Sequence, residues 1–334
     1  MENFYAIDFG GSYTTIYKLG DGLVLKEPSL IMAELTDNGY LVKAMGSDAK
    51  NTFGKTDEKS IVFCPISESV IKSVEYASDM LKYFLSKVYK KNLFKTTKFL
   101  MTYPIGLSQE EIEKYKTVAK NAGIENCYFV PRVICSAIGC DIDITSPSAN
   151  LIVDIGGSST DFAVISNSNV IYACTLAVGG KSVDNSIKQI IKERYNIDIS
   201  LTMAEKIKVE IGSLFSDDIA NMEVSGYDVV SSLPITTVIY ANDIKDAMSP
   251  IIDEVARICA TTLNMCSTDV VADVAEHGIY VCGAYVKTSG LKNYLSKKLS
   301  IAVNAEDSFS DACIIGAGKL ISNVDLLNKI IQNI

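Results

Sequence analysis

Histidine is almost missing from this chain: of 334 residues only His277 is one. That leaves little room for a histidine-rich metal site or a Ser-His-Asp hydrolase. Cysteine is present nine times, but in an odd number, scattered, and without a CxxC pair. These cysteines read as small buried apolar residues in a reducing cytosol rather than as disulfides or a zinc site. No run approaches the roughly 20 apolar residues needed to cross a bilayer. The start lacks a basic segment followed by an apolar one, so no signal peptide is expected. Positive charge is also in short supply. A net charge of −9 argues against broad electrostatic binding to nucleic acid. No Pro/Ser-rich or low-complexity linker interrupts the chain. Its length and 48% apolar composition suggest two closely packed domains.

What the chain does have is a motif that occurs twice. Near the start it reads AIDFGGSYTTIYKL, and after Asn150 it reads LIVDIGGSSTDFAVIS. Aligning Asp8 with Asp154 also pairs Gly10 with Gly156, Gly11 with Gly157, Ser12 with Ser158 and Thr14 with Thr160. Each copy is an apolar β-prone run, then Asp-x-Gly-Gly-Ser-x-Thr, then a second β-prone run, which predicts a hairpin with a glycine-rich tip. Glycine lets the backbone approach an anion closely, and Ser and Thr add hydroxyl donors. The aspartate cannot itself hold phosphate, but it can hold a hydrated magnesium ion that accompanies phosphate. Two unrelated glycine turns are the bland alternative. Matching at five positions of seven favours a duplicated phosphate clamp.

Around the hairpins the pattern is mixed α/β. Residues 69–90 place Val70, Val74, Ala77, Leu81, Phe84, Leu85 and Val88 at helical spacing. Ser108 and Glu111 form a capping-box pattern opening a second helix that runs to Asn121. Thr97–Tyr103 reads as a buried strand, Val170–Leu176 as another, and Gly179-Gly180 leads into a helix at 182–194. Further helices are expected at 202–214, 243–265 and 311–322, and strand Gly278–Cys282 ends at Gly283, bringing a third glycine turn toward a ligand.

These features, with stretches such as GLVLKEPSLI, AMGSDAKNTFGKT, TYPIGLSQEE, AVGGKSVDNSI and AEKIKVEIGS in order, resemble the MreB family of bacterial actin-like proteins along nearly the whole chain. That family sits in the actin, heat-shock chaperone and sugar kinase superfamily. The resemblance implies an α/β, actin-like two-domain fold with duplicated ribonuclease-H-like halves around a nucleotide cleft. Domain I would comprise 1–137 plus about 318–334, with a small subdomain near 30–64, and domain II 138–317, with one near 181–243. The implied ligands are ATP or ADP and Mg2+. Asp8 and Asp154 would surround the hydrated metal, and Gly10, Gly11, Ser12, Tyr13, Gly156, Gly157, Ser158 and Ser159 would form the phosphate loops. Ser159 is the one candidate for a catalytic role. Glu205 and Lys208 would flank ribose and base, their i, i+3 spacing putting both on one helix face, although an exposed Glu205–Lys208 ion pair is the alternative. Gly283, Ala284 and Tyr285 would form the adenosine turn, with Tyr285 filling the space that glycine leaves in relatives or stacking on the base.

The chain also departs from the family. A glutamate that positions water in MreB proteins is replaced: Pro131, Arg132 and Val133 stand in that segment. Loss of such a group slows hydrolysis, since general-base assistance is worth about 10²–10⁴-fold. Arg132 either pairs with a phosphate oxygen or points to solvent. Tyr13 occupies a loop position that is small or amide-bearing in relatives. Leu93 and Phe94, flanked by Lys90, Lys91 and Lys95, suit shallow insertion into an anionic lipid surface, the alternative being that they cover a helix edge. The expected protein is a self-assembling filament, cytoplasmic and peripheral on the inner face of the cell membrane. It would organise cell shape and wall synthesis, with weak or absent ATP hydrolysis and with morphogenesis proteins as further partners. A plasmid-segregating filament and a small-molecule kinase of the same superfamily are the competing expectations.

Overall fold

The computed structural model of the chain describes residues 3–37, 39–52, 59–67, 69–90 and 96–333. Both repeated motifs form the expected hairpins. Asn3–Phe9 pairs antiparallel with Tyr13–Lys18, setting Asp8 opposite Thr15 and Phe9 opposite Thr14. Asn150–Ile155 pairs with Thr160–Ser166, setting Asp154 opposite Asp161 and Ile155 opposite Thr160.

Each hairpin gains a third antiparallel strand, Gly22–Pro28 in one half and Asn169–Leu176 in the other. On the other side of each first strand lie two parallel strands. These are Thr97–Tyr103 and Cys127–Pro131 in the first half, and Ile279–Cys282 and Val303–Asn304 in the second. The two five-stranded sheets thus share one strand order, so the duplication extends from motif to topology. Each half also carries an inserted three-stranded sheet: Gly39–Met45, Ile31–Thr36 and Ser60–Phe63 in the first, and Ile197–Asp198, Asn221–Asp228 and Pro234–Tyr240 in the second.

The period of two along a strand decides what faces what. In the first strand Tyr5, Ile7 and Phe9 join the core of the first half, whereas Phe4 and Ala6 face a central core. Asp8 continues that second set. In the second hairpin Leu151, Val153 and Ile155 join the core of the second half, and Ile152, Ala163 and Ile165 face the central one. Asp154 and Asp161 are in register with these. The alternation therefore aims Asp8, Asp154 and Asp161 at the layer between the halves.

Two helices fill that layer, Arg132–Gly139 and Ala312–Ser322. They touch backbone to backbone. A Cβ on Gly316 would overlap the Cys135 carbonyl oxygen, and one on Gly139 would overlap that of Ala312.

Expected elements are found at Val74–Val88, Gln109–Asn121, Gly180–Tyr195, Leu201–Ile211 and Ala241–Asn264, the first starting later than its spacing suggests because Val70–Ile71 forms a strand paired with Ile66–Ser67. The Ser108 hydroxyl caps the second of these, accepting from the Glu111 amide at 3.3 Å, while the Glu111 carboxylate accepts from Lys114 at 2.7 Å. Helices Thr268–His277, Leu291–Leu299 and Val324–Asn333 carry no corresponding sequence expectation.

Candidate functional site: a cleft between the two hairpins

The tips of the hairpins meet. Each closes on the same backbone bond, Gly10 N to Tyr13 O at 3.2 Å and Gly156 N to Ser159 O at 2.9 Å. A Cβ on Gly157 would overlap the Ser12 hydroxyl, and one on Gly11 would stand 2.8 Å from the Ser158 hydroxyl. The glycines are thus what allow the two loops to interdigitate. Helix Gly180–Tyr195 supports the second loop from behind: the Gly180 and Lys181 amides donate to the carbonyls of Gly156 and Gly157 at 3.0 and 2.8 Å. The Lys181 ammonium reaches the first loop and donates to the Gly11 carbonyl at 2.7 Å.

Below the tips lies a cavity of about 620 Å³. Asp8, Gly10, Gly11, Ser12 and Tyr13 line it from one half, and Asp154, Gly156, Gly157, Ser158 and Ser159 from the other. Glu205, Lys208, Gly283, Ala284 and Tyr285 complete the wall. Every residue that the sequence assigns to a nucleotide therefore faces one space. The Thr15 hydroxyl, opposite Asp8 in the hairpin, lines the same cavity and is buried without a hydrogen-bond partner among the described residues. A buried hydroxyl left in that state favours a polar ligand.

The third glycine turn works by close approach. Gly283 has φ +89°, and a Cβ there would stand 2.8 Å from Asp154 Oδ1. The following turn, Ala284–Lys287, buries Tyr285 against the cleft wall. Glu205 and Lys208 do share a helix face, but they do not pair with each other. Lys50 bonds Glu205 across the cleft mouth at 2.8 Å, and Lys208 bonds Asp184 at 2.6 Å and the Gly180 carbonyl at 3.0 Å. Lys50 also lies 5.7 Å from the Tyr13 ring centre, and Tyr13 itself is 36% exposed at the entrance.

Arg132 does not point to solvent. Its side chain is 12% exposed, its Nε donates to Asp8 Oδ1 at 3.0 Å, and its Nη1 lies 4.0 Å from Asp161 Oδ2. One turn further on, Ser136 donates to Asp154 Oδ2 at 2.6 Å. The i, i+4 spacing puts Arg132 and Ser136 on one face, so a single helix contacts the key aspartate of each half. Burial works against the Arg132 charge, but Asp8 and Asp161 more than offset it and raise the guanidinium well above its ordinary value. Burial raises the Asp154 carboxyl against the pull of Arg132 and Ser136, and pushes Asp161 up to about 6 against Arg132 and Thr175.

A hydrated magnesium ion would find one oxygen of each of these two aspartates already engaged. Asp8 Oδ1 already accepts from Thr102 at 2.7 Å as well as from Arg132, and Asp154 Oδ2 is taken by Ser136. Among the described residues no group of three or more His, Cys, Asp or Glu side chains is arranged to hold a metal ion. Leu93 and Phe94, the expected lipid contact, lie outside the described residues.

Asp161, Ser136, Lys50 and Lys181 escape the sequence reading. Asp161 was within reach of it, as the residue that the hairpin register sets opposite Asp154. Lys181 directly follows Gly179-Gly180. Lys50 reaches the cleft only through the inserted sheet, and nothing in the sequence signals that.

A family model described as MreB/Mbl protein matches residues 2–329. The cell shape-determining protein Mbl of Bacillus subtilis (strain 168) is 29% identical over 324 residues, covering 97% of each chain. The crystal structure of MreB5 of Spiroplasma citri bound to AMPPNP superposes with a TM-score of 0.90 at 29% identity, covering 100% of this chain and 99% of that one. The same protein bound to ADP matches with the same TM-score and identity, over 98% of each chain. The MamK double helical filament shares the fold alone, with a TM-score of 0.79 at 18% identity over 97% of this chain and 99% of that one.

Proposed function

The chain belongs to the MreB/Mbl family, and from that premise we propose that it is an actin-like cell-shape protein that binds an adenine nucleotide between its halves and self-assembles into filaments. The observation that carries the nucleotide reading is the meeting of two glycine hairpins over one cavity lined by both. Backbone amides and hydroxyls at those tips suit phosphate oxygens, and the Gly283 turn with Glu205 and Lys208 suits the nucleoside. That MreB5 of Spiroplasma citri binds AMPPNP and ADP supports ATP or ADP as the ligand. The family's role in cell shape and the filament formed by MamK support self-association.

The finer parts of the reading are a division into two domains near residues 137 and 318, attachment to the inner membrane face through Leu93 and Phe94, and partnership with wall-synthesis proteins. Among the described residues no helix is long and apolar enough to cross a membrane, so attachment would be peripheral. Hydrolysis would be weak, because the segment at Pro131 and Arg132 offers no carboxylate to orient water, and Arg132 is itself committed to Asp8.

Titration with a fluorescent ADP, followed by electron microscopy on anionic vesicles with and without ATP, tests this reading. Saturable binding and nucleotide-dependent filaments are expected. A chain that binds no adenine nucleotide overturns it.

A further inference from the structure

Lys181 is bonded to both glycine tips, and it carries a charge that its bonds there do not neutralise. It stands in the first turn of helix Gly180–Tyr195. Its backbone amide donates to the Gly157 carbonyl of the second tip at 2.8 Å, and its ammonium crosses to the Gly11 carbonyl of the first at 2.7 Å. The side chain is exposed, yet it lines the same cavity as the two loops. Among the described residues no carboxylate lies within ion-pair distance of the ammonium. Asp184, three residues further along the helix, is taken by Lys208 at 2.6 Å.

An ammonium group has three donors, and a hydrogen bond to an ionised phosphate oxygen is roughly twice as strong as one between neutral groups. Leaving the Gly11 carbonyl would not orphan it. The Cys64 thiol lies 2.8 Å from the Ile66 carbonyl oxygen and 3.2 Å from that of Gly11, and it can turn its single proton to the second. The position also selects which phosphate is met. The nucleoside wall is formed by Glu205, Lys208 and the Gly283 turn. A phosphate chain running from that wall brings its last group to the interlock of the tips, where Gly11 lies against Ser158 and the Lys181 side chain ends. A diphosphate is one group shorter and stops before it.

We infer that Lys181 is a specificity-determining residue that reads the terminal phosphate: its ammonium passes from the Gly11 carbonyl to an oxygen of that group and so favours a nucleoside triphosphate over a diphosphate. This rests on the nucleotide reading of the cleft and deepens it, since the loops, the aspartates and the glycine turn do not by themselves separate the two ligands.

The test is titration of the full chain with fluorescent AMPPNP and with fluorescent ADP, both in magnesium buffer. Lys181→Met keeps most of the side-chain length and removes the charge. It is expected to weaken AMPPNP binding by about tenfold or more while ADP binding stays within about threefold of the wild type. Lys181→Arg restores a cation, and its ratio of the two affinities should lie within about threefold of the wild-type ratio. If Lys181→Met weakens both ligands equally, Lys181 merely staples the two tips together and the inference is overturned. An unchanged affinity for both overturns it too, and either result leaves the nucleotide reading intact. A wild type that binds neither ligand overturns both. The substituted side chain is exposed, and a melting temperature close to that of the wild type shows that the variant is folded.

Discussion

A single hydroxyl proton constrains the residues behind the cleft. Thr175 Oγ1 lies 2.7 Å from the Ile105 carbonyl oxygen and 2.7 Å from Asp161 Oδ1, and it can donate to only one of them. The carbonyl can only accept. If Asp161 is protonated it donates to Thr175, which in turn donates to Ile105, and every group is satisfied. Burial, the largest influence on Asp161, pushes its carboxyl from the ordinary 3.8 to about 6 in agreement with that arrangement. The sign of the linkage follows. Between these two values the folded chain keeps a proton that the unfolded chain releases, so this group's contribution to stability falls as pH rises from about 4 through 6. Asp161→Asn removes the titration while keeping the shape. The stability difference between variant and wild type should therefore move in the variant's favour between about pH 4 and 7, by on the order of 2–3 kcal/mol. Urea unfolding at several pH values measures it, and a difference that stays constant with pH refutes the assignment. Asp161 is also where the sequence was legible but under-read. The repeat exposes Asp8 and Asp154, while the charge opposite Asp154 becomes visible only once the hairpin register is drawn.

At the scale of the element, the closest packing lies in the helix pair between the halves. Gly139 and Gly316 face carbonyl oxygens of the partner helix with no space for a methyl group. Alanine ordinarily gains about 1 kcal/mol over glycine in a helix interior. Here Gly316→Ala should instead cost about 1–3 kcal/mol by forcing the helices apart, and thermal melting will show a loss of several degrees. A variant as stable as the wild type would mean that the helices separate without cost. Legibility follows burial. Val74–Val88 shows a clean period because one face meets a core, whereas the hairpin strands meet a core on both faces and read as apolar runs ending in the glycine motif. Thr268–His277 is ten residues long with one fully buried side chain, Val274, and so leaves little periodic trace. Leu291–Leu299 buries only Leu291 and Leu295. The inserted strand Asn221–Asp228 likewise buries Val224 alone and is interrupted by Gly226, so its alternation is faint.

For the whole molecule, the two halves are held unequally at base and mouth. The base is the glycine-tight helix pair, continuous with a core drawn from both sheets. The mouth is held by side chains that water reaches: Lys50 with Glu205 at 2.8 Å, Lys181 with the Gly11 carbonyl at 2.7 Å, and Lys26 with Asp311 at 2.7 Å. Partly exposed ion pairs contribute about 0–1 kcal/mol each, whereas separating the base would expose buried apolar surface. Opening should therefore start at the mouth, with the helix pair as the pivot. Lys50→Ala removes the link that closes over the nucleoside end of the cavity, together with the Lys50 contact to the Tyr13 side chain at the edge of the first loop. Release of bound fluorescent ADP should then speed up by about two- to fivefold, while the melting temperature changes by little more than a degree. Raising the salt concentration should bring wild-type release toward that of the variant, because screening weakens an exposed pair. Equal release rates at low salt would show that Lys50 and Glu205 do not gate the cleft, and the opening would then have to be controlled deeper, at the hairpin tips where Ser12 and Gly157 interlock.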